Sequence, residues 1–462
     1  MKALPGGRGL FSCRARGSEA GVTIALPAPT GYPGPSRRRA WGRAPPANAI
    51  PEVFMLDSVL AFLDTQRDEI IALQRRMTAI PALGPLNGGD GERQKADDLV
   101  LYLKGLGLPE AIWANAPDDR VSCGHRPNLA VVIPGADTSR TFWTISHLDV
   151  VPPGDLSLWD SDPYELVVDG DMIRGRGVED NQQAMAASLI LAKALVEKGI
   201  TPPINYGMLF VSDEETGSKH GLDYVAANHP ELFTPNDLFL IPDFGRPDGE
   251  MVEVAEKSML WLKISLFGRQ CHASTPDEGI NTFVAASDLA LRLLALHETF
   301  PAEDALFSPP RSTFSPTKKE ANVENINTIP GRDVFYVDCR VLPVYDLDDV
   351  LAAVRGICAA VAEARGVEVA IDIVQKEQAA PATPVDSEIV TRVMAAIRAV
   401  LHNDPKPMGI GGGTVAAFLR RRGYQAVVWS CLMHNAHQPN ERSSIAMTMA
   451  DAKVMARVLL GA

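Results

Sequence analysis

The stretch T-F-W-T-I-S-H-L-D, Thr141 to Asp149, decides how the chain is read. It is a short apolar run of β type that ends in a histidine and an aspartate. Successive side chains of a strand alternate faces, so His147 and Asp149, two apart, point to the same side where the strand runs out. Open α/β sheets place their ligands at that end of their strands. A metal-ligating histidine has its second ring nitrogen held by a neighbour, often a carboxylate, and Asp149 is placed to hold His147. A lone H-x-D is more often a strand end that is solvated or satisfied by hydrogen bonds. The acidic and imidazole residues further along give it weight.

Outward from this strand, Asn128 to Ile133, Ile204 to Ser212 and Asp237 to Ile241 read as further buried strands, and Asn181 to Lys198 as an Ala-rich helix. Upstream, Val59, Leu60, Leu63, Ile70, Ile71 and Leu73 recur at helical spacing until Pro81, and a second helix follows from about Gly91 to Leu106. Strands alternating with helices predict a mostly parallel central sheet flanked by helices. Near Val254 the pattern changes. Met259–Phe267 reads as a strand, Asn281–Leu296 as a helix, and Asn322–Leu342 as two strands around Pro330-Gly331. Asp346 then caps a helix running to about Arg365, and Val367–Val374 is a strand. This β-α-β-β-α-β order predicts an inserted ferredoxin-like α+β domain. The expected division is 1–54 as a disordered leader or upstream extension, 55–253 and 379–462 as a discontinuous catalytic domain, and 254–378 as the insertion.

A chain of 462 residues is too long for one core. Its net charge of −13 makes nucleic acid an unsuitable partner. Residues 1–54 run the other way, with eight Lys/Arg against Glu19 and Glu52. They are rich in Gly, Pro, Arg and Ala, and no run in the chain reaches the roughly eighteen apolar residues of a membrane helix. The six cysteines, at 13, 123, 271, 339, 358 and 431, form no C-x-x-C pair, which fits a reducing, cytoplasmic location.

Chemistry-bearing residues recur where strands end. Gly175 to Asn181, G-R-G-V-E-D-N, is a Gly-rich turn that puts Asp180 at the start of the Ala-rich helix, where it serves as an N-cap or as a carboxylate bridging two cations. Asp213-Glu214-Glu215 follows an apolar strand, and three adjacent acids repel one another unless cations neutralise them or water solvates them. Of two such glutamates, one can bind metal while its neighbour takes a proton from water. Asp243 ends another strand, and His434 and His437 follow Val427–Leu432. Either histidine could be a ligand. A mixed nitrogen and oxygen set suits zinc, with cobalt or manganese as substitutes, and a bridging carboxylate implies two ions about 3.5–4 Å apart.

Seven motifs in order resemble those of the dinuclear zinc metallopeptidases that include carboxypeptidase G, succinyl-diaminopimelate desuccinylase, acetylornithine deacetylase and the aminoacylases. They are H-L-D-V-V-P-P-G at 147–154, W-D-S-D-P-Y at 159–164, G-R-G-V-E-D at 175–180, S-D-E-E-T-G-S at 212–218, C-H-A-S-T-P at 271–276, N-T-I-P-G at 327–331 and H-Q-P-N-E at 437–441. The resemblance implies Asp180 bridging two zinc ions per subunit, His147 and Asp243 completing one site and Glu215 and His437 the other. There the H-x-x-N-E spacing selects His437 over His434. It implies Glu214 as general base and Asp149 as the partner of His147. The inserted domain would form a homodimer contact, and His272 would reach across to stabilise an oxyanion. Asn327, Arg340 and the backbone of Gly411, Gly412, Gly413 and Thr414 would hold the substrate's carboxylate.

One departure is Gln182, where many members carry lysine. The implied activity is hydrolysis of an amide in an N-acyl amino acid or small peptide. The alternative is a non-catalytic, metal-dependent binding protein, against which the Glu214-Glu215 pair argues. A serine hydrolase is disfavoured because the chain lacks G-x-S-x-G.

Overall fold

In the computed structural model, residues 52–461 are described. The reading of residues 1–54 as a leader therefore falls almost wholly outside the described residues. The first helix begins at Glu52.

In chain order the elements are α1 (Glu52–Leu63), α2 (Arg67–Thr78), α3 (Arg93–Gly105), β1 (Ile112–Trp113), β2 (Leu129–Ile133), β3 (Asp137–His147), α4 (Gln182–Lys198), β4 (Ile204–Val211), α5 (Leu222–Asn228), β5 (Leu238–Ile241) and β6 (Met251–Glu256). A second group follows: β7 (Ser258–Phe267), α6 (Thr282–Leu293), β8 (Thr313–Lys319), β9 (Arg332–Val341), α7 (Leu347–Arg365) and β10 (Glu368–Glu377). The chain then returns through α8 (Glu388–Leu401), β11 (Lys406–Ile410), α9 (Ala416–Arg420), β12 (Ala426–Val428) and α10 (Ile445–Leu460).

An eight-stranded sheet has the order β1-β2-β4-β3-β5-β12-β6-β11. Its centre is parallel, β3 pairing with β4 and β5, and β5 with β12. Period-two alternation loads both faces. Phe142 joins the core under α1, α2, α4 and α10, whereas Trp143 and Ile145 face Leu222, Val225 and Leu419 of α5 and α9. The alanines of α4 let that helix, from Gln182 to Ala192, lie buried against α1, α2 and α10. Gly207 on β4 makes room for the Trp143 indole, since a Cβ there would meet the ring at 2.4 Å. The alternating helices and strands thus build the expected helix-flanked, mostly parallel sheet. Among the described residues no helix is long and apolar enough to cross a membrane.

The second group forms an antiparallel four-stranded sheet, order β8-β9-β7-β10. Leu260, Leu262, Ile264 and Leu266 of β7 build its core with α6 and α7. Asp346 caps α7 by accepting the Asp348 N–H, as its position predicts. The element order and sheet order are those of a ferredoxin-like unit.

Two local expectations differ. The apolar run from Leu56 is two helices, broken at 64–66, where Thr65 and Gln66 side chains bond back to the Phe62 carbonyl. The strand preceding β9 is Thr313–Lys319, upstream of the expected hairpin, while Thr328–Ile329 pairs with Cys271–His272. β8 is a sheet edge carrying Pro316, Lys318 and Lys319, so its outward residues show no apolar alternation to reveal it.

Candidate metal centre

Parallel neighbours end at the same edge of a sheet, and this topology gathers the site. β3 ends at His147, β4 runs into Asp213-Glu214-Glu215, β5 into Asp243, and the segment after β12 carries His437. Asp180 enters from the turn before α4.

His147 Nε2 lies 2.8 Å from Asp180 Oδ1 and 3.5 Å from Asp243 Oδ1. His437 Nε2 lies 3.1 Å from Asp180 Oδ2 and 3.0 Å from Glu215 Oε2. The two oxygens of Asp180 thus face two different imidazoles. Ligand atoms of His147, Glu214 and Asp243 gather within 4.8 Å of one another, as do those of His147, Asp180 and Glu215. His434 takes no part and lies against the Phe244 ring, centroids 5.8 Å apart.

The electrostatics ask for a cation. Removal from water, then the charges of Asp243, Asp180 and Glu215, push the Glu214 carboxyl well above the usual range, and burial raises Glu215 as well. Burial works against the His147 imidazolium, but Asp149, Asp180 and Asp243 outweigh it and hold its pKa well above normal. Hydrogen bonds to Asp180 and Glu215 raise half-exposed His437 to about 10. Among the described residues no lysine or arginine pairs with Asp180, Glu214, Glu215 or Asp243. Glu215 Oε1 is buried without a hydrogen-bond partner, an orphan acceptor that a cation would satisfy. The donor set of imidazoles and carboxylates therefore fits divalent ions of the zinc type.

Asp149 does more than hold His147. Its backbone carbonyl lies 2.9 Å from His147 Nδ1 and its carboxylate oxygen 3.5 Å, while that carboxylate accepts the N–H groups of Glu214 and Glu215 at 3.1 Å each. It thus aims the glutamate turn as well as the ring. Asp213 stands apart from its two neighbours, at φ 62°, where its carboxylate takes hydrogen bonds from Thr216 Oγ1, the His220 N–H and Arg126. Asn181 Nδ2 donates to Asp243 Oδ1, a contact that the residue's place beside Asp180 could have suggested.

The substrate-binding candidates form two further groups. Arg340 Nη1 donates to the Gly411 carbonyl at 2.8 Å, and the Thr414 N–H donates to Glu256 at 2.8 Å, with Gly412 and Gly413 between them. Asn327 Nδ2 lies 3.4 Å from Nε2 of exposed His272. Among the described residues no hydrogen bond or ion pair joins either group to the ligand cluster. Gln182 is buried, accepting from Thr78 Oγ1 at 2.9 Å, and lies outside the ligand set.

Comparison with known proteins bears on this geometry. Residues 143–461 match the profile of Peptidase family M20/M25/M40. An uncharacterized metallohydrolase of Methanocaldococcus jannaschii is 38% identical over 408 residues, 85% of this chain and 99% of the relative. A succinyl-diaminopimelate desuccinylase of Dinoroseobacter shibae is 29% identical over 328 residues, 70% of this chain and 83% of its own. Human carnosine dipeptidase 1 shares the fold, with a TM-score of 0.66 at 16% identity, covering 88% of this chain and 98% of that one.

Proposed function

The chain belongs to Peptidase family M20/M25/M40 as a metallohydrolase, and from that premise we propose that it cleaves an amide bond in N-acyl amino acids or small peptides, using two zinc ions. Cobalt or manganese would substitute. Asp180 would touch both ions, His147 and Asp243 would complete one site, and Glu215 and His437 the other. The observation that carries this reading is that Asp180 offers one oxygen toward each imidazole. Bound there, the ions would supply Lewis acidity, polarising a carbonyl and making water acidic near neutral pH.

The chain's own groups do the rest. Glu214, aimed by the Asp149 carboxylate, accepts a proton from the attacking water and returns it to the leaving nitrogen. His272 of a second subunit stabilises the tetrahedral oxyanion, which makes the homodimer, formed through residues 254–378, part of the mechanism. Asn327, Arg340 and the Gly411–Thr414 turn hold the substrate's carboxylate, with the Arg340 guanidinium positioned by Asp338 and the Gly411 carbonyl. Likeness to a desuccinylase supports an N-acyl amino acid as substrate. The free thiols of Cys123, Cys271, Cys339, Cys358 and Cys431 support a cytoplasmic location.

Assaying zinc- or cobalt-loaded protein against N-acyl amino acids and dipeptides tests the proposal. Metal-dependent release of an amino acid is expected. Stoichiometric metal uptake with no turnover of any of them would contradict it.

A further inference from the structure

Four of the five ligands sit at the ends of regular elements. His437 does not. It lies in a segment without helix or strand between β12 and Arg442, at φ 64°, and is half exposed. Something besides the sheet must set its distance from Asp180.

Two buried carboxylates flank the pair in sequence. Glu179 precedes Asp180, and its carboxylate accepts the backbone N–H groups of Met433 and, at 2.8 Å, Asn435, in the loop leading to His437. Glu441 follows His437 by four residues. Its Oε1 accepts the N–H groups of Glu179 at 2.9 Å and Asp180 at 3.1 Å, and its Oε2 accepts those of Gly177 at 3.0 Å and Arg176 Nη1 at 2.6 Å. Exposure is 2% for Glu179 and 1% for Glu441, so neither is a solvated surface acid. The pattern is reciprocal: an acid on the Asp180 turn grips the backbone of the His437 loop, and an acid beyond His437 grips the backbone of the Asp180 turn. Such charge-assisted bonds to amides hold a backbone more firmly than neutral ones.

Resting on the reading of these five side chains as ligands, we propose that Glu179 and Glu441 are positioning residues whose crossed grip fixes the separation of Asp180 and His437 before any ion arrives. Neither touches substrate. They act through the ligands beside them, as hydrogen-bonding groups behind metal ligands do elsewhere.

The test uses the full metal-free chain, titrated with cobalt(II) and followed by visible absorption, alongside hydrogen exchange read by mass spectrometry. Glu179→Gln and Glu441→Gln keep the side chain's shape but turn an NH2 toward backbone donors. Each variant should bind one equivalent within about threefold of wild-type affinity and the other about 10–100-fold more weakly. Amides of 433–437 should exchange faster in Glu179→Gln and those of 177–180 in Glu441→Gln, with β4 unchanged. Two equivalents at wild-type affinity, or equal weakening of both with faster exchange throughout, overturns the proposal. Glu441→Gln also strands the buried Arg176 guanidinium; should it not fold, Glu179→Gln, which strands no cation, decides alone. A wild-type chain that takes up no cobalt contradicts the ligand reading instead, and the exchange arm still decides whether the grip holds the two loops.

Discussion

Asp213 and Glu214 are neighbours in the chain but belong to two different acidic clusters. Around Asp213, the buried guanidinium of Arg126 reaches Asp213 at 3.3 Å and Asp118 at 3.6 Å and bonds both oxygens of Glu92. Burial opposes the Asp213 charge, yet Thr216, His220 and Arg126 hold its carboxyl below the usual range. Around Glu214, with Asp180, Glu215 and Asp243, two imidazoles are the counter-charges among the described residues, and Glu214 and Glu215 are pushed up. Acids answered by arginine are internal scaffolding. The acids around Glu214 have no such answer among the described residues, and it is these that the proposed function gives to metal. Asp451 shows a third arrangement: it bonds Ser430, Gln183 and the Cys431 N–H, and burial pushes it up to about 6.

This contrast can be broken at several points. The largest effect belongs to Glu214→Gln, which should lower turnover about 10²–10⁴-fold while both ions still bind, as paired kinetics and metal analysis would read. Arg126→Met should cost about 3–5 kcal/mol in denaturant unfolding, because it leaves Glu92 and Asp213 buried without their cation. If it left stability intact and abolished metal uptake instead, the two clusters would be one. Chelation should lower stability by about 2.7 kcal/mol for each of the two ions, relative to protein held at a hundred times that ion's Kd. Glu215→Gln sharpens the difference in sign: with its charge raised in cost by burial, the metal-free variant should be more stable than wild type by about 0.5–2 kcal/mol, though poorer in metal affinity. A loss like that of Arg126→Met would sink the distinction. The smallest effect is a slope. Native Asp451 keeps a proton that the unfolded chain releases between 3.8 and about 6, so stability falls as pH rises through that window, and Asp451→Asn should flatten the dependence.

The parallel core was legible because strand periodicity and position at strand ends are local signals. His147 and Asp243 could be picked out that way, each following an apolar run, whereas the choice between Glu214 and Glu215 as ligand rested on resemblance. His437 was separable from His434 by resemblance alone, since both follow the same strand. Adjacency concealed the split between Asp213 and Glu214, because what divides them is Arg126, 87 residues from Asp213. Edge strand β8 has too few inward residues to alternate, and the break between α1 and α2 falls inside a continuous apolar period. Glu179 and Glu441 lay within quoted motifs but bind backbone N–H groups, Glu179 doing so across 254 residues, and contacts to backbone leave no residue pattern to read.

Anomalous diffraction at the zinc edge from crystals of loaded protein tests the central claim most directly. The account predicts two peaks about 3.5–4 Å apart, one between His147 and Asp243, the other between Glu215 and His437, with Asp180 between them. A single peak, or zinc bound elsewhere with these five side chains left in mutual contact, would contradict it.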